Sequence, residues 1–169
     1  EARELLERTL ADLEIAQCTY YFRFYIAEAL KNVGMADRYV DLLAPWENML
    51  DLGLSTFAEK PDPTRSDCHA WSASPIYHYL SLVAGIEPAS PGFKTVRVKP
   101  ALGSLENIDA RMPHPNGEIE LKLEKTARGG FEGEVVLPAG LEGDFELGGI
   151  TIPLKPGKTN LNLPAKSAD

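Results

Sequence analysis

Four residues near the middle of the chain have side chains that could do chemistry. They are the carboxylates Glu59 and Asp67, the imidazole His69 and the indole Trp71, and they lie within and just after a proline-rich stretch. Carboxylates transfer protons, and an aromatic face covers the apolar side of a pyranose ring. These residue types in one short segment therefore point to chemistry on a sugar.

Each of these residues also has a structural interpretation. Glu59 stands beside Lys60 and has the setting of a solvated loop carboxylate. A single histidine such as His69 commonly caps a helix or packs at its start, and Asp67 is best interpreted as a helix N-cap. Trp71 fits a core position and a sugar-stacking position equally well. Spacing alone does not separate the two interpretations.

Several neighbouring residues are weaker candidates. Tyr20, Tyr21 and Phe24 are expected to pack between helices, with one of them reaching a pocket floor. Trp46 is expected to be a core or interface aromatic. Arg65 is expected to be solvated, although its guanidinium could clamp a carboxylate.

Composition excludes several classes of function. A hydrophobic content of 44% and a charged content of 25% are ordinary for a soluble globular protein. The net charge of −8 argues against a nucleic-acid partner, which requires a basic surface. No acids and imidazoles recur at the spacing of metal ligands, and Cys18 and Cys68 do not form a disulfide framework. We expect no metal, no cofactor and no membrane span.

The first half of the chain has the pattern of helices. Apolar residues from Leu5 to Ala16 recur at intervals of three and four, and residues 19–33 predict a second helix. Residues 36–53 predict a third, in which Pro45 either kinks one helix or separates two. A fourth helix is expected to begin at Ser66 or Asp67 and to end at Gly85.

The second half has the pattern of strands. Alternation is clearest in residues 118–124, where Ile119, Leu121 and Leu123 share one face. Glycine, proline and asparagine turn signals separate the segments. Seven short strands are predicted, at residues 93–98, 107–111, 118–124, 133–137, 144–147, 150–154 and 159–163.

Helices followed by strands, rather than alternating with them, indicate an α+β chain of two domains. The predicted boundary gives residues 1–88 to helices and residues 89–169 to an antiparallel β-sandwich. The helices could close as a bundle or be the last hairpins of a larger helical toroid, and the aromatic residues 20–25 favour the toroid. Because the chain starts inside a helical pattern without an initiator Met, we expect it to be part of a longer polypeptide, which leaves its cellular compartment open.

Three sequence blocks resemble the C-terminal part of bacterial α-L-rhamnosidases. These blocks are TYYFRFYIAEAL, WENMLDLGLSTFAE and SDCHAWSASPIYHYL, the last followed by GIEPASPGFKTVRVKP. The resemblance covers nearly the whole chain, is most specific over residues 46–100, and is weaker over the C-terminal strands. It implies the end of an (α/α) six-hairpin barrel followed by a β-sandwich, in an inverting glycoside hydrolase.

The resemblance also implies roles for particular residues. Glu59 would be the general base that activates the attacking water, and His69 would hydrogen-bond a rhamnose hydroxyl, with Trp71 a further substrate contact. The family's general acid lies on an earlier barrel segment, which has no counterpart here. Inverting hydrolysis needs both groups. The local carboxyl groups are not compelling as the acid; they are Glu47, Asp51, Asp62 and Asp67.

The expected partners are accordingly a rhamnose-containing glycoside or polysaccharide and the upstream barrel helices of the parent polypeptide. Two other functions remain open. The chain could belong to a six-hairpin glycosidase that acts on a different terminal sugar. It could instead be a non-catalytic carbohydrate-binding or structural module, because a β-sandwich alone often binds glycans.

Overall fold

The computed structural model describes residues 1–12, 14–61 and 63–165, so Leu13, Asp62 and the last four residues lie outside the described part. The chain divides into two compact units, Glu1–His78 and the remainder from Tyr79 onward. We call them the helical unit and the β-unit. The sequence predicted a fourth helix up to Gly85 and a boundary at residue 88. Tyr79–Val83 is helical but belongs to the compact β-unit, in which Ile86–Pro88 pairs as a strand.

The helical unit is built from short helices and single turns. Its α-helices are α1 (Ala2–Ala11), α2 (Arg23–Asn32), α3 (Ala44–Asp51) and α4 (Ser74–His78). Turns of 3₁₀-helix cover Ala36–Arg38, Val40–Leu42 and Ala70–Ala73. Helix α1 has no buried residue, whereas α2 buries Ala27 and Leu30. None of the helices in the described residues is long and apolar enough to cross a membrane.

The structure corrects the predicted helix bounds. Pro45 lies in the first turn of α3, where its missing N–H costs no hydrogen bond, so it starts a helix rather than kinking one. The N-cap prediction for Ser66 and Asp67 is wrong, because the 3₁₀ turn begins only at Ala70 and has His69 before it. The Ser66 hydroxyl instead accepts the N–H of Cys68 at 3.3 Å, which forms a local turn.

The β-unit begins with a π-helix at Tyr79–Val83 and contains eight strands. They are β1 (Ile86–Pro88), β2 (Thr95–Val98), β3 (Asn107–His114), β4 (Gly117–Lys125), β5 (Phe131–Leu137), β6 (Glu142–Leu147), β7 (Ile150–Leu154) and β8 (Gly157–Leu163). Two four-stranded sheets result, in the orders β1-β2-β6-β7 and β3-β4-β5-β8. All seven predicted strands are present.

Two features of the sheets differ from the prediction. Strand β1 was missed because three residues ending in Pro88 carry too little alternation. Strands β2 and β6 pair in parallel, with Val96 opposite Gly143, so the unit is not purely antiparallel. Local sequence patterns give the period of a strand and not its partner, which is why this pairing escaped the prediction.

The core of the β-unit follows the alternation of its strands. Ile119, Leu121 and Leu123 on β4 are at most 2% exposed, whereas Lys122 and Glu124 between and beside them are in solvent. The other sheet contributes Val96, Val98 and Phe145, all at 0% exposure. Burial of alternate side chains is what positions these strands as two layers with one apolar face each.

Candidate active site

The segment that carries the predicted site residues is a loop closed by backbone hydrogen bonds at its neck. The N–H of Glu59 donates to the carbonyl of Ser66 at 2.9 Å, and the N–H of His69 donates to the carbonyl of Phe57 at 2.7 Å. The hydroxyl of Thr56 donates to the carbonyl of Asp67. These bonds place Glu59 and His69, which are ten positions apart in the sequence, on adjacent segments.

The residues of the loop explain this closure. Pro61 and Pro63 have no backbone N–H, so the hydrogen bonds of the loop must be made by the residues that flank them. Thr64 supplies a side-chain turn, since its hydroxyl accepts the N–H of Ser66 at 3.3 Å. The loop is therefore fixed by bonds made within its own sequence.

A buried aromatic cluster supports the loop. Tyr20 is 2% exposed and packs with Met49 and Ala58, and its N–H donates to the carbonyl of Glu59 at 3.4 Å. The ring of Trp46 lies 5.3 Å from that of Tyr20. Its indole N–H donates to the carbonyl of Ser72 at 2.7 Å, beyond the loop. Trp46 is thus a packing residue, as predicted, and it ties the loop to the turn that follows.

The carboxylate of Glu59 is mostly covered and paired with a cation. Its side chain is 12% exposed, and Arg65 contacts both of its oxygens. The Nε of Arg65 donates to Oε2 at 3.0 Å, while its Nη2 donates to Oε1. The hydrogen bond from Arg65 lowers the pKa of Glu59 below its ordinary value of 4.5, and the charges of His69 and Lys60 act in the same direction. Glu59 is therefore ionised near neutral pH.

Arg65 is solvent-exposed, as expected, but it also has a partner that the sequence did not predict. Its guanidinium clamps the carboxylate of Glu59 rather than that of a substrate. The signal was present in the sequence, because an arginine and a glutamate flank one proline-rich turn. Their pairing depends on how that turn closes, which the sequence pattern does not give.

His69 and Trp71 form the aromatic side of the site. The ring of His69 stands nearly perpendicular to the indole of Trp71, with centroids 5.9 Å apart. Trp71 is 66% exposed and lies 4.9 Å from the ring of Tyr21. His69 also lines a small open cavity, which it shares with Ser55, Thr56, Phe57, Cys68 and Ala70. Glu59 and Trp71 are not among the residues that line this cavity.

The local carboxyl groups that were not compelling as the acid have a different environment from Glu59. Glu47, Asp51 and Asp67 are all exposed, and Asp62 lies outside the described residues. Within residues 1–12, 14–61 and 63–165, no three His, Cys, Asp or Glu side chains are arranged to hold a metal ion.

Comparison with solved structures found close similarity of fold to rhamnosidases. The native α-L-rhamnosidase of Aspergillus terreus superposes with a TM-score of 0.82 at 16% identity, covering 99% of this chain and 22% of that one. The GH78 family rhamnosidase of Bacillus sp. GL1 gives a TM-score of 0.68 at 26% identity, covering 77% of this chain and 15% of that one. The chain thus spans about a fifth of the first of these proteins.

A third structural relative is the α-L-rhamnosidase of Streptomyces avermitilis, solved in complex with L-rhamnose, with a TM-score of 0.67 at 19% identity. It covers 79% of this chain and 16% of that one. Comparison with curated proteins gave no match. Residues 85–161, which hold nearly the whole two-sheet fold, match the family model of the bacterial α-L-rhamnosidase C-terminal domain. This part of the chain is therefore similar to the C-terminal domain of bacterial α-L-rhamnosidases.

Proposed function

We propose that the chain is part of an inverting α-L-rhamnosidase, a glycoside hydrolase that releases terminal rhamnose from glycosides or polysaccharides. The C-terminal domain match and the structural relatives, which are rhamnosidases, support the substrate class. The observation that carries the proposal is the closed loop that presents Glu59, His69 and Trp71 together. The helical unit would then be the end of an (α/α) barrel, whose upstream helices are the chain's proposed partner.

Glu59 is proposed as the general base. An inverting enzyme uses one carboxylate to activate water and one carboxylic acid to protonate the leaving oxygen, roughly 6.5–9.5 Å apart. The base must be ionised before it can accept a proton, and the low pKa of Glu59 meets that requirement. The acid must hold its proton until it protonates the leaving oxygen, and the resemblance to rhamnosidases implies that it lies on an earlier barrel segment. We therefore place the acid on another segment of the parent polypeptide.

His69 and Trp71 are proposed as substrate contacts. The imidazole of His69 carries hydrogen-bonding nitrogens at the mouth of a cavity and can engage a sugar hydroxyl. The exposed indole of Trp71, backed by Tyr21, offers a face on which the apolar side of a pyranose can stack. Together they would orient the sugar ring beside Glu59, because His69 contacts Trp71 and faces Glu59 electrostatically.

Hydrolysis of an aryl α-L-rhamnoside by the longer polypeptide tests the proposal. Glu59→Gln should lower kcat by roughly a hundredfold to ten-thousandfold, because the amide cannot accept the proton of water. Asp51→Asn, which changes an exposed acid of the same unit, is the matched control and should keep kcat within about twofold. Proton NMR of the first product should show the inverted anomer.

Four results would count against the proposal. Full activity in Glu59→Gln would remove Glu59 from the mechanism, and retention of the anomeric configuration would remove the inverting reaction. Turnover only on other terminal sugars would favour a different six-hairpin glycosidase. The 169-residue chain alone should show no turnover, since one carboxylate cannot serve as both acid and base in this reaction. Glycan binding without hydrolysis by the longer polypeptide would favour a non-catalytic module.

A further inference from the structure

The Glu59–Arg65 pair combines a covered carboxylate with a solvent-facing guanidinium. The side chain of Glu59 is 12% exposed, whereas that of Arg65 is 77% exposed. Removing a carboxylate from water is costly unless other donors replace the lost hydration. Arg65 supplies two such donors from the outer side of the loop, one to each carboxylate oxygen.

The loop backbone fixes where Arg65 can reach. Its neighbour Ser66 accepts the N–H of Glu59 at 2.9 Å, so the two residues of the pair lie at the two sides of one hydrogen-bonded neck. Two parallel N–H···O contacts from a planar guanidinium hold the plane of a carboxylate, which a single contact does not. Lys60 and His69 also face Glu59, yet the described residues show them acting through charge and not through a hydrogen bond to its carboxylate.

A paired carboxylate can still act on water. An ionised carboxyl group has about four acceptor sites on its two oxygens. The two hydrogen bonds from Arg65, which we call the fork, occupy two of these sites. The remaining lone pairs can accept a hydrogen bond from a water molecule. The pairing therefore leaves Glu59 competent as a base while it removes rotational freedom from the side chain.

We propose that Arg65 is a positioning residue for Glu59, which keeps the carboxylate ionised and holds its plane in one orientation toward the attacking water. The electrostatic part of this proposal stands on the contacts alone. The catalytic part rests on the proposed function, in which Glu59 is the base. Arg65 touches neither water nor sugar in this role.

The electrostatic part is tested by titrating Glu59 in the 169-residue chain itself. The ¹³Cδ signal of Glu59, assigned by its absence in Glu59→Gln, should shift its titration midpoint to higher pH in Arg65→Gln. Arg65→Lys keeps the charge but loses the fork, and should give an intermediate midpoint. Lys60→Gln removes a facing charge and no hydrogen bond, and is the matched control with the smallest expected shift.

An unchanged midpoint in folded Arg65→Gln would overturn the electrostatic part. A shift of the midpoint in Lys60→Gln as large as that in Arg65→Gln would also overturn it. The two hydrogen bonds from Arg65 would then have no effect beyond that of its charge. Circular dichroism of each variant verifies the fold, and Arg65→Lys gives a second measure that preserves the charge balance. Because this experiment requires no turnover, it holds whether or not the proposed function is correct.

The catalytic part is tested in the longer polypeptide with the aryl rhamnoside. Arg65→Gln should lower kcat roughly tenfold to a hundredfold through loss of orientation, with KM changed less than about twofold. The acidic limb of kcat/KM against pH should move to higher pH, and Arg65→Lys should restore part of kcat. The positioning role would be overturned if the acidic limb of the pH profile did not move in Arg65→Gln. It would also be overturned if the loss of kcat/KM came from a change in KM alone. Absence of wild-type turnover would instead overturn the proposed function.

Discussion

The β-unit buries its large side chains almost completely, whereas the helical unit leaves many of its own in solvent. Phe145, Ile119 and Leu141 of the β-unit are all 0% exposed. Of the large apolar side chains that are exposed among the described residues, all except Tyr79 belong to the helical unit. These include Phe22 and Trp71, at 53% and 66% exposure.

This difference shows two ways of building structure from one chain. In the β-unit, alternating side chains fill a core and backbone ladders fix the register, so little apolar surface is left over. In the helical unit, a small buried cluster around Tyr20 supports the loop, and aromatic rings contact one another at the surface. The proposed catalytic loop lies in the unit that exposes more of its large apolar side chains.

The largest expected effect is from Gly143→Ala in the β-unit. A Cβ on Gly143 would lie 1.8 Å from the carbonyl oxygen of Val96, its partner across the parallel β2–β6 pair. Because that oxygen belongs to backbone, the strands must separate, and we expect a loss of more than about 3 kcal/mol in urea unfolding followed by circular dichroism. Gly149→Ala, at a φ of +85° with open space around it, should cost about 1–2 kcal/mol.

Gly143→Ala also tests whether the two units are energetically separate. Both tryptophans, Trp46 and Trp71, belong to the helical unit, so tryptophan fluorescence reports that unit alone. The midpoint of urea unfolding followed by tryptophan fluorescence should stay unchanged in Gly143→Ala. A shift equal to that seen by circular dichroism would mean that the units unfold as one, and the contrast drawn above would fail.

A pair of phenylalanines compares the two units directly. Phe145→Ala removes a ring that is 0% exposed and should lower the free energy of unfolding of the β-unit by about 3–5 kcal/mol. Phe22→Ala removes a ring that is 53% exposed and should cost the helical unit less than about 1 kcal/mol. Similar losses in the two variants, measured by urea unfolding, would show that surface aromatic contacts stabilise the helical unit as strongly as a core does.

Two tryptophans make the corresponding comparison inside the helical unit. Trp46→Phe loses the hydrogen bond to Ser72 and should destabilise the unit by about 1–3 kcal/mol, because the carbonyl of Ser72 then lacks its indole donor. Trp71→Phe should change stability by less than about 0.5 kcal/mol, since the indole is 66% exposed. Each variant retains one tryptophan as the fluorescence reporter. A larger loss of stability in Trp71→Phe than in Trp46→Phe would mean that Trp71, and not Trp46, is the packing residue.

The smallest expected effect is a pH dependence confined to the helical unit. His78 is 0% exposed, and burial lowers its pKa below the ordinary 6.5, although Glu28 at 3.2 Å partly offsets the shift. The unfolded state therefore binds a proton more readily, so stability is complete above pH 6.5 and declines as the pH falls below it.

Thermal unfolding followed by tryptophan fluorescence between pH 7.5 and pH 5 checks this prediction, with about 0.5 pH steps. The decline should disappear in His78→Gln. Glu59 does not interfere, because its lowered pKa gives a contribution that is present above pH 4.5 and lost only as the pH falls further. A decline that persists in His78→Gln would assign the effect to another group.

The strands were predictable because a sheet that buries one face imposes a period of two on its sequence, as in Ile119, Leu121 and Leu123. The helix bounds were less predictable. Residues 14–16 and 19–22 continue the predicted helical patterns, and residues 66–69 were predicted to begin a helix, yet all of them lie outside the helices. Loop geometry and hydrogen bonding decide those ends. Pairing in space, such as Val96 with Gly143, has no local signal at all.

For the candidate site, the sequence supplied the residue types and the structure supplied their arrangement. That Glu59 and His69 lie on adjacent segments depends on two backbone hydrogen bonds, which no composition or spacing reveals. The fork from Arg65 depends on the closure of the same loop. The catalytic roles of Glu59, His69 and Trp71, and the barrel that would complete the helical unit, remain predictions for the experiments above.

The parallel pairing of β2 with β6 has a consequence for the time course of folding. Strands β3, β4 and β5 lie between these partners in the chain and form a meander of neighbouring hairpins, which can assemble early because its contacts are local. The first sheet must wait, since Thr95–Val98 meets its partner only after residues 142–145 arrive. During synthesis, the edge of β2 that pairs with β6 therefore has no partner until β6 is made, and an unpaired strand edge can pair with another copy of the chain.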